Sequence, residues 1–265
     1  MDAQSHVTLS ADGVPIHHDV QGSGAPALVF VHSWCCNRHY WDRQVDHFAP
    51  HYTVVRLDLA GHGASGRDRP QWTMVAFGQD VVAVVEHLRL AQVVLIGHAM
   101  SGVVIVEAAR RLPTTVIGVV GVDTWPNVER IRTPAQVAES LAPFRANFVE
   151  AARAFVRRMF VPTSDPTFVE HMVETMSAAP PHIGIGAMEA NLGHDRALQA
   201  GLQEVTAPKI AINARPTDVE AAQRHGIAVL RMSGVGHFGM LEDPPTFNRL
   251  LDEAVQQCIR AREPQ

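Results

Sequence analysis

Short, continuous runs of apolar and β-branched residues recur along the chain. They predict buried strands, because a strand covered on both faces presents no polar side. The runs are Ala27–Val31, Thr53–Leu57, Val93–Ile96, Val116–Val122, Lys209–Ile212 and Ile227–Arg231. Two alternating segments, His6–Ser10 and Pro15–Val20, lie on either side of Asp12-Gly13, and they predict a hairpin ahead of the first run.

Helical patterns of apolar positions alternate with these strands. They cover Met74–Leu88, Gly102–Leu112 and Phe247–Ile259. Alternation of strands and helices is typical of a doubly wound α/β sheet. We therefore expect a mostly parallel, eight-stranded sheet with helices on both faces.

One region interrupts the alternation, because residues 127–206 contain no convincing strand. Apolar side chains recur there at helical spacing, in one stripe at Phe144, Phe148, Phe155 and Met159 and another at Phe168, Met172 and Met176. Such stripes mostly indicate packing, although methionine also adapts to varied ligands in a pocket. We predict a helical cap, 127–206, inserted into a core made of 1–126 and 207–265.

Composition narrows the classes of function. The chain has 265 residues, of which 46% are hydrophobic and 18% charged, as in an ordinary globular protein. Its formal net charge of -5 gives no reason to expect nucleic acid as a partner. No apolar run approaches the ~20 residues of a membrane span. With three cysteines and no visible signal peptide, we expect a cytoplasmic protein, either a monomer or a homodimer.

The stretch that follows Val93–Ile96 carries the most specific signal. A buried strand runs through a turn of small residues into a helix, which is the context of a nucleophile elbow with the pattern G-x-S-x-G. Small neighbours allow the sharp turn, and the helix N-terminus brings backbone N–H groups towards an oxyanion. The position of the nucleophile is Ala99, which has no hydroxyl group, and the distal glycine is replaced by Ser101.

Three explanations of Ala99 are open at this point. The first is an engineered Ser-to-Ala substitution that traps substrate, which we favour because the surroundings are laid out for a working enzyme. The second is a natural pseudoenzyme that binds without turnover. The third is a displaced nucleophile, Ser101, although a side chain two residues into the helix should point away from the apex.

Four motifs together give a resemblance to the α/β-hydrolase superfamily over nearly the whole chain. They are Gly97-His98-Ala99-Met100-Ser101-Gly102, Asp58-Leu59-Ala60-Gly61-His62-Gly63-Ala64-Ser65, Val31-His32-Ser33-Trp34, and Gly234-Val235-Gly236-His237-Phe238 followed by Glu242-Asp243-Pro244. Each is weak alone, but their order and placement between the expected elements are specific. The resemblance implies the α/β-hydrolase fold, and it leaves the function open because fold does not fix function.

The resemblance implies that His237 is a general base, which a serine hydroxyl needs in order to attack. The acid that orients His237 has two candidates. Asp123 directly follows a buried strand, where a carboxylate needs a partner, and we favour it. Asp218 follows the next-to-last strand, at the usual position in the superfamily, but Pro216 intrudes and the expected glycine is missing.

The same resemblance implies an oxyanion hole formed by the backbone N–H groups of Trp34 and Met100. It also suggests a set of side chains that contact substrate. These are Ser33, Trp34, His98, Trp125, Phe144, Phe148, Met176 and Phe238. The chain shows no metal-ligand spacing and no phosphate-binding glycine loop, so we expect neither a metal nor a cofactor.

We therefore expect a serine hydrolase of a small to medium, largely apolar carboxylic ester or lactone, working through an acyl-enzyme and inactivated at Ala99. One alternative is a cofactor-free His–Asp dioxygenase, which Trp34-Cys35, Asp123 and Pro216-Thr217 resemble. Cys36 departs from that pattern, since a histidine is expected shortly after the Trp-Cys pair. The other alternative is a non-catalytic ligand-binding protein.

Overall fold

One eight-stranded sheet runs through the centre of the molecule. The computed structural model describes residues 4–262. The strands are β1 (Gln4–Leu9), β2 (Pro15–Gln21), β3 (Ala27–Val31), β4 (Thr53–Leu57), β5 (Val93–His98), β6 (Val116–Val122), β7 (Lys209–Asn213) and β8 (Ile227–Arg231). Their order is β1-β2-β4-β3-β5-β6-β7-β8. The β1–β2 hairpin and the β2–β4 pair are antiparallel, whereas the other neighbours are parallel.

Helices cover both faces of this sheet. They are α1 (Asp42–Phe48), α2 (Met74–His87), α3 (Ser101–Arg111), α4 (Pro134–Ala146), α5 (Phe148–Arg157), α6 (Pro166–Ser177), α7 (Pro181–Leu192), α8 (Asp195–Glu204), α9 (Val219–Arg224), α10 (Gly239–Glu242) and α11 (Pro244–Arg260). Helices α1, α10 and α11 pack together, and α2, α3 and α8 form a second group. Both groups contact the sheet, α11 and α3 each lying against β6.

The central strands are apolar throughout because both of their faces are covered. Every residue of β3, β5 and β6 is buried. In the parallel register Val31 pairs with Gly97, and His98 pairs with Val122. The carboxyl ends of these strands therefore meet at one edge, where ligands bind in open α/β sheets.

Helices α4–α8 lie between β6 and β7, within the stretch for which the sequence predicts only helices. The stripe that begins at Phe144 is not one helix, however. The backbone at Asn147 is extended, with φ −153°, and its side chain accepts a hydrogen bond from Glu150 N, starting α5. The apolar spacing alone did not show this break, because it continues across the junction.

Residues 1–3, the start of the N-terminal stretch in which no signal peptide is visible, lie outside the described residues. Between residues 4 and 262, no helix is both long and apolar enough to cross a membrane.

Helix α11 begins earlier than the apolar pattern predicts, because Asp243 caps it by accepting a hydrogen bond from Thr246 N.

Candidate active site

Ala99 occupies the apex of a sharp turn between β5 and α3. Its φ is +48°, in the left-handed region that costs an alanine about 1–2 kcal/mol. Gly97 allows the turn, because a Cβ atom there would lie 2.4 Å from the Ser101 carbonyl oxygen. Backbone strain of this kind is characteristic of functional sites. The elbow geometry is thus present although its apex carries only a methyl group.

Ser101 does not face the cavity. Its side chain is completely buried and does not line the cavity next to Ala99. The Ser101 Oγ donates a hydrogen bond to the carbonyl oxygen of His32. The hydroxyl therefore links α3 to the chain that follows β3 and points away from the apex, as expected for a side chain two residues into the helix.

His237 and Asp123 form a buried pair at the same edge of the sheet. The His237 Nδ1 donates to Asp123 Oδ2, which leaves Nε2 as the ring nitrogen that can face the cavity. Asp123 stands directly after β6 with a φ of +45°. Its other carboxylate oxygen, Oδ1, accepts hydrogen bonds from the backbone N–H groups of Ala214 and Arg215 at 3.0 and 3.1 Å.

Arg215 adds a positive charge to this pair. Its Nε lies 2.6 Å from Asp123 Oδ2, the oxygen that also binds His237. Burial opposes ionisation of Asp123, but the hydrogen bond from His237 and the charge of Arg215 outweigh it and lower the pKa of Asp123 to about 2. Burial also lowers the pKa of His237 below its ordinary value, and Arg215 lowers it further, against the opposing effect of Asp123. A neutral imidazole beside an ionised carboxylate is the state suited to a general base.

Asp218, the other candidate acid, lies elsewhere. It is exposed and does not line the cavity. Its backbone N–H donates to the carbonyl oxygen of Pro126, and its carboxylate accepts a hydrogen bond from Ala221 N at 2.9 Å, which caps α9. The structure therefore brings Asp123, and not Asp218, to His237.

Two backbone N–H groups are available where an oxyanion hole is expected. Trp34 follows β3 and Met100 follows the apex of the elbow, and both residues line the cavity. Within residues 4–262 neither backbone N–H group donates to another group of the protein. Unpaired donors at such a position can donate hydrogen bonds to an oxyanion and stabilise its developing negative charge.

The loop that carries His237 is attached to the helical insertion. The His237 backbone N–H donates to the Met159 carbonyl oxygen at 2.8 Å. Glu242 accepts hydrogen bonds from Gly236 N at 2.9 Å and from Ser164 Oγ at 2.6 Å. Met159 and Ser164 lie between α5 and α6, so these contacts join the His237 loop to the insertion.

A cavity of about 930 Å³ opens over these groups. Its volume is at the upper end of the range for small-molecule sites. Most of the predicted site residues line it. They are Ser33, Trp34, Ala99, Met100, Asp123, Trp125, Phe144, Met176, His237 and Phe238.

His98 and Phe148, predicted as substrate contacts, do not line the cavity. His98 lies beneath the base, where its Nε2 donates to the His237 carbonyl oxygen at 2.9 Å and the two ring centroids are 4.6 Å apart. Phe148 lies behind Trp34, with ring centroids 6.0 Å apart, and packs closely against Gly184 of α7. The break at Asn147 starts a new helix at Phe148, so the spacing from Phe144 did not place both rings on one face.

The arginines of the cavity were not among the predicted site residues. Arg130, Arg132, Arg158 and Arg215 all line it. Arginine on an amphipathic helix or in a loop is usually a solvated residue, so its type and spacing gave no signal. Only the position of Arg215, shortly after a strand end, could have suggested a role.

Comparison with known proteins places the chain in a family. The family model described as alpha/beta hydrolase fold matches residues 26–179. A 3-oxoadipate enol-lactonase of Acinetobacter baylyi is 24% identical over 270 residues, covering 94% of this chain and 96% of the relative.

Solved structures show the same fold. A structure described as Est816, an N-acyl homoserine lactone degrading enzyme, superposes with a TM-score of 0.80 at 23% identity, covering 93% of this chain and 99% of that one. An esterase from Exiguobacterium antarcticum gives a TM-score of 0.83 at 17% identity, covering 96% of this chain and 100% of that one. The predicted mostly parallel, eight-stranded fold is confirmed, and the chain belongs to the alpha/beta hydrolase fold family.

Proposed function

We propose that this chain has the architecture of a serine hydrolase for carboxylic esters or lactones, with Ala99 in the place of the nucleophile. The observation that carries the proposal is the strained apex at Ala99, which opens into the same cavity as the His237–Asp123 pair. An ordinary strand-to-helix connection has no need of a left-handed alanine. Relatives named as an enol-lactonase, an esterase and a lactone-degrading enzyme support the same class of substrate.

With serine at position 99, each group has a defined role. The Oγ attacks the carbonyl carbon while His237 Nε2 takes its proton, and the oxyanion is held by the N–H groups of Trp34 and Met100. His237 then gives the proton to the leaving oxygen as the ester bond breaks. Water, activated by the same imidazole, hydrolyses the acyl-enzyme and restores the hydroxyl. Asp123 fixes the ring and stabilises the imidazolium.

With alanine at position 99 the same cavity binds the ester or lactone but forms no acyl-enzyme, because a methyl group has no lone pair. The oxyanion donors and the base remain in place around the bound carbonyl group. The chain as it stands therefore acts as a binder of its substrate.

A covalent probe tests this assignment. A fluorophosphonate is expected to label the Ala99→Ser protein at residue 99, because the reaction needs the nucleophile, the base and the oxyanion donors together. Intact-mass and peptide mass spectrometry measure the adduct. The unsubstituted chain is the control, and it is expected to remain unlabelled because its other serines, including Ser140 in the cavity, lack the base. Labelling of neither protein, or of both at another serine, contradicts the proposal.

A second candidate function rests on one observation. The His237–Asp123 pair is complete in a chain with no hydroxyl at position 99, and its acid follows β6. A His–Asp pair of this kind can deprotonate a substrate that then reacts with oxygen, as in the cofactor-free dioxygenases that the sequence resembles. Cys36 stands where a histidine is expected in those enzymes. Oxygen uptake by the unsubstituted chain with a hydroxyquinolone would favour this candidate over the hydrolase.

The pH dependence of hydrolysis tests whether the charge of Arg215 lowers the pKa of His237. In the Ala99→Ser background, Arg215→Gln is expected to move the acid limb of kcat/KM to higher pH. The base must be neutral to act, activity is lost below its pKa, and removal of a cation raises the pKa of His237. The measurement is a pH–rate profile with an uncharged nitrophenyl ester. Arg224→Gln, at an exposed arginine paired with Glu129 outside the cavity, is the control, and an unmoved limb in Arg215→Gln would contradict the assignment.

A further inference from the structure

The cavity carries more positive than negative charge. Four arginines line it, whereas its carboxylates are Asp123 and Asp195. Both carboxylates are already paired, Asp123 with Arg215 and Asp195 with Arg132 at 2.6 Å. Among residues 4–262, no carboxylate lies within 4.0 Å of the guanidinium nitrogens of Arg130 or Arg158. Two cations at this site are therefore left for a ligand.

This local charge is opposite to that of the whole molecule. The chain has a formal net charge of -5, yet the arginines that line its cavity outnumber the carboxylates there. A cleft lined by one sign of charge concentrates ligands of the opposite sign. Solubility alone gives no reason to place unpaired arginines in the lining of a cavity.

Two aromatic rings lie between Arg158 and the backbone N–H group of Trp34 that is available to an oxyanion. Arg158 directly follows α5, and its guanidinium carbon lies 5.9 Å from the centroid of the Phe155 ring. The Phe155 ring in turn contacts Trp34 edge-on, with centroids 5.7 Å apart. Apolar rings therefore line the cavity from Trp34, whose backbone N–H group is available to an oxyanion, to the unpaired guanidinium group of Arg158.

We propose that the cavity takes an ester or lactone that carries a carboxylate. The apolar part of the molecule lies along the wall of Trp34 and Phe155, and the carboxylate is held by Arg158, with Arg130 as a second cation. Guanidinium groups bind carboxylates through paired, charge-assisted hydrogen bonds. This inference deepens the proposed function and rests on it for the nature of the reacting bond.

A matched pair of ligands tests the charge preference without requiring catalysis. The ligands are 5-oxo-5-phenylpentanoate and its carboxamide, which have similar size and a ketone that resists hydrolysis. By titration calorimetry with the unsubstituted chain, we expect the carboxylate to bind about fivefold more tightly, as for an exposed charge pair. In Arg158→Gln the preference is expected to fall to about twofold or less.

Arg157→Gln is the matched control, because Arg157 precedes Arg158 in the chain, pairs with Glu170 and does not line the cavity. It is expected to keep the full preference. Arg130→Gln is a second variant, expected to reduce the preference partly. Equal binding of the two ligands, or a preference that survives both Arg158→Gln and Arg130→Gln, overturns the inference. Failure here is distinct from failure of the proposed function, which is read from fluorophosphonate labelling of Ala99→Ser.

Discussion

Ala99→Ser is expected to raise the rate of ester or lactone hydrolysis by about 10⁶-fold, the scale of the loss when a serine hydrolase is deprived of its nucleophile. The increase is large because every other group is already in place. The backbone at residue 99 has φ +48°, so the elbow needs no rearrangement to present the hydroxyl. The measurement is kcat/KM for nitrophenyl esters of graded chain length and for simple lactones.

Ala154→Ser is the matched control for that experiment. Ala154 also lines the cavity and is exposed, so serine there adds a hydroxyl without the elbow or the base. Its activity is expected to stay at the level of the unsubstituted chain. A gain below about tenfold for Ala99→Ser, or equal gains in the two variants, would show that residue 99 is not the position of the nucleophile.

Asp123→Asn, in the Ala99→Ser background, is expected to lower kcat about 10⁴-fold. The asparagine amide can face His237 as a donor, which stabilises the wrong tautomer, and it removes the negative charge that stabilises the imidazolium. Since Asp123 Oδ1 also accepts two backbone N–H groups, asparagine preserves the local shape better than alanine would. Steady-state kinetics with the best substrate of Ala99→Ser measures the effect.

Asp218→Ala separates the two candidate acids. Because Asp218 caps α9 and lies outside the cavity, we expect its substitution in the Ala99→Ser background to leave activity within about twofold of Ala99→Ser alone and to lower the free energy of unfolding by about 1 kcal/mol. Urea denaturation measures that loss. If Asp218→Ala abolished turnover and Asp123→Asn did not, the roles assigned to the two residues would be reversed.

Much of the fold could be predicted because its core strands are covered on both faces. The apolar runs of β3, β5 and β6 are short, complete and separated by helical patterns, so strand and helix were easily distinguished. The four motifs follow the carboxyl ends of strands, and their resemblance to a known superfamily indicated which of their residues could form a site. Asp123 was favoured over Asp218 because it directly follows a buried strand, and because Pro216 and a missing glycine make the sequence before Asp218 unusual.

The insertion was harder to predict, for a physical reason. Its helices pack by apolar stripes, and a stripe has the same spacing whether one helix continues or two meet, as at Asn147. Contacts across helices, such as Phe148 against Gly184, depend on the angles between them. Arg158 is unpaired because no carboxylate of residues 4–262 lies close to its guanidinium group. Which side chains surround it depends on the tertiary structure, and the local sequence does not show this.

The attachment of the His237 loop to the chain between α5 and α6 has a consequence for how such proteins diversify. A segment that only encloses a cavity is free to change whenever a new ligand demands a new shape. Here the same segment supplies Met159, whose carbonyl oxygen binds the His237 backbone N–H, and Ser164, whose hydroxyl binds the Glu242 carboxylate. A replacement of the insertion that broke these two contacts would therefore change the range of ligands and the orientation of His237 at the same time.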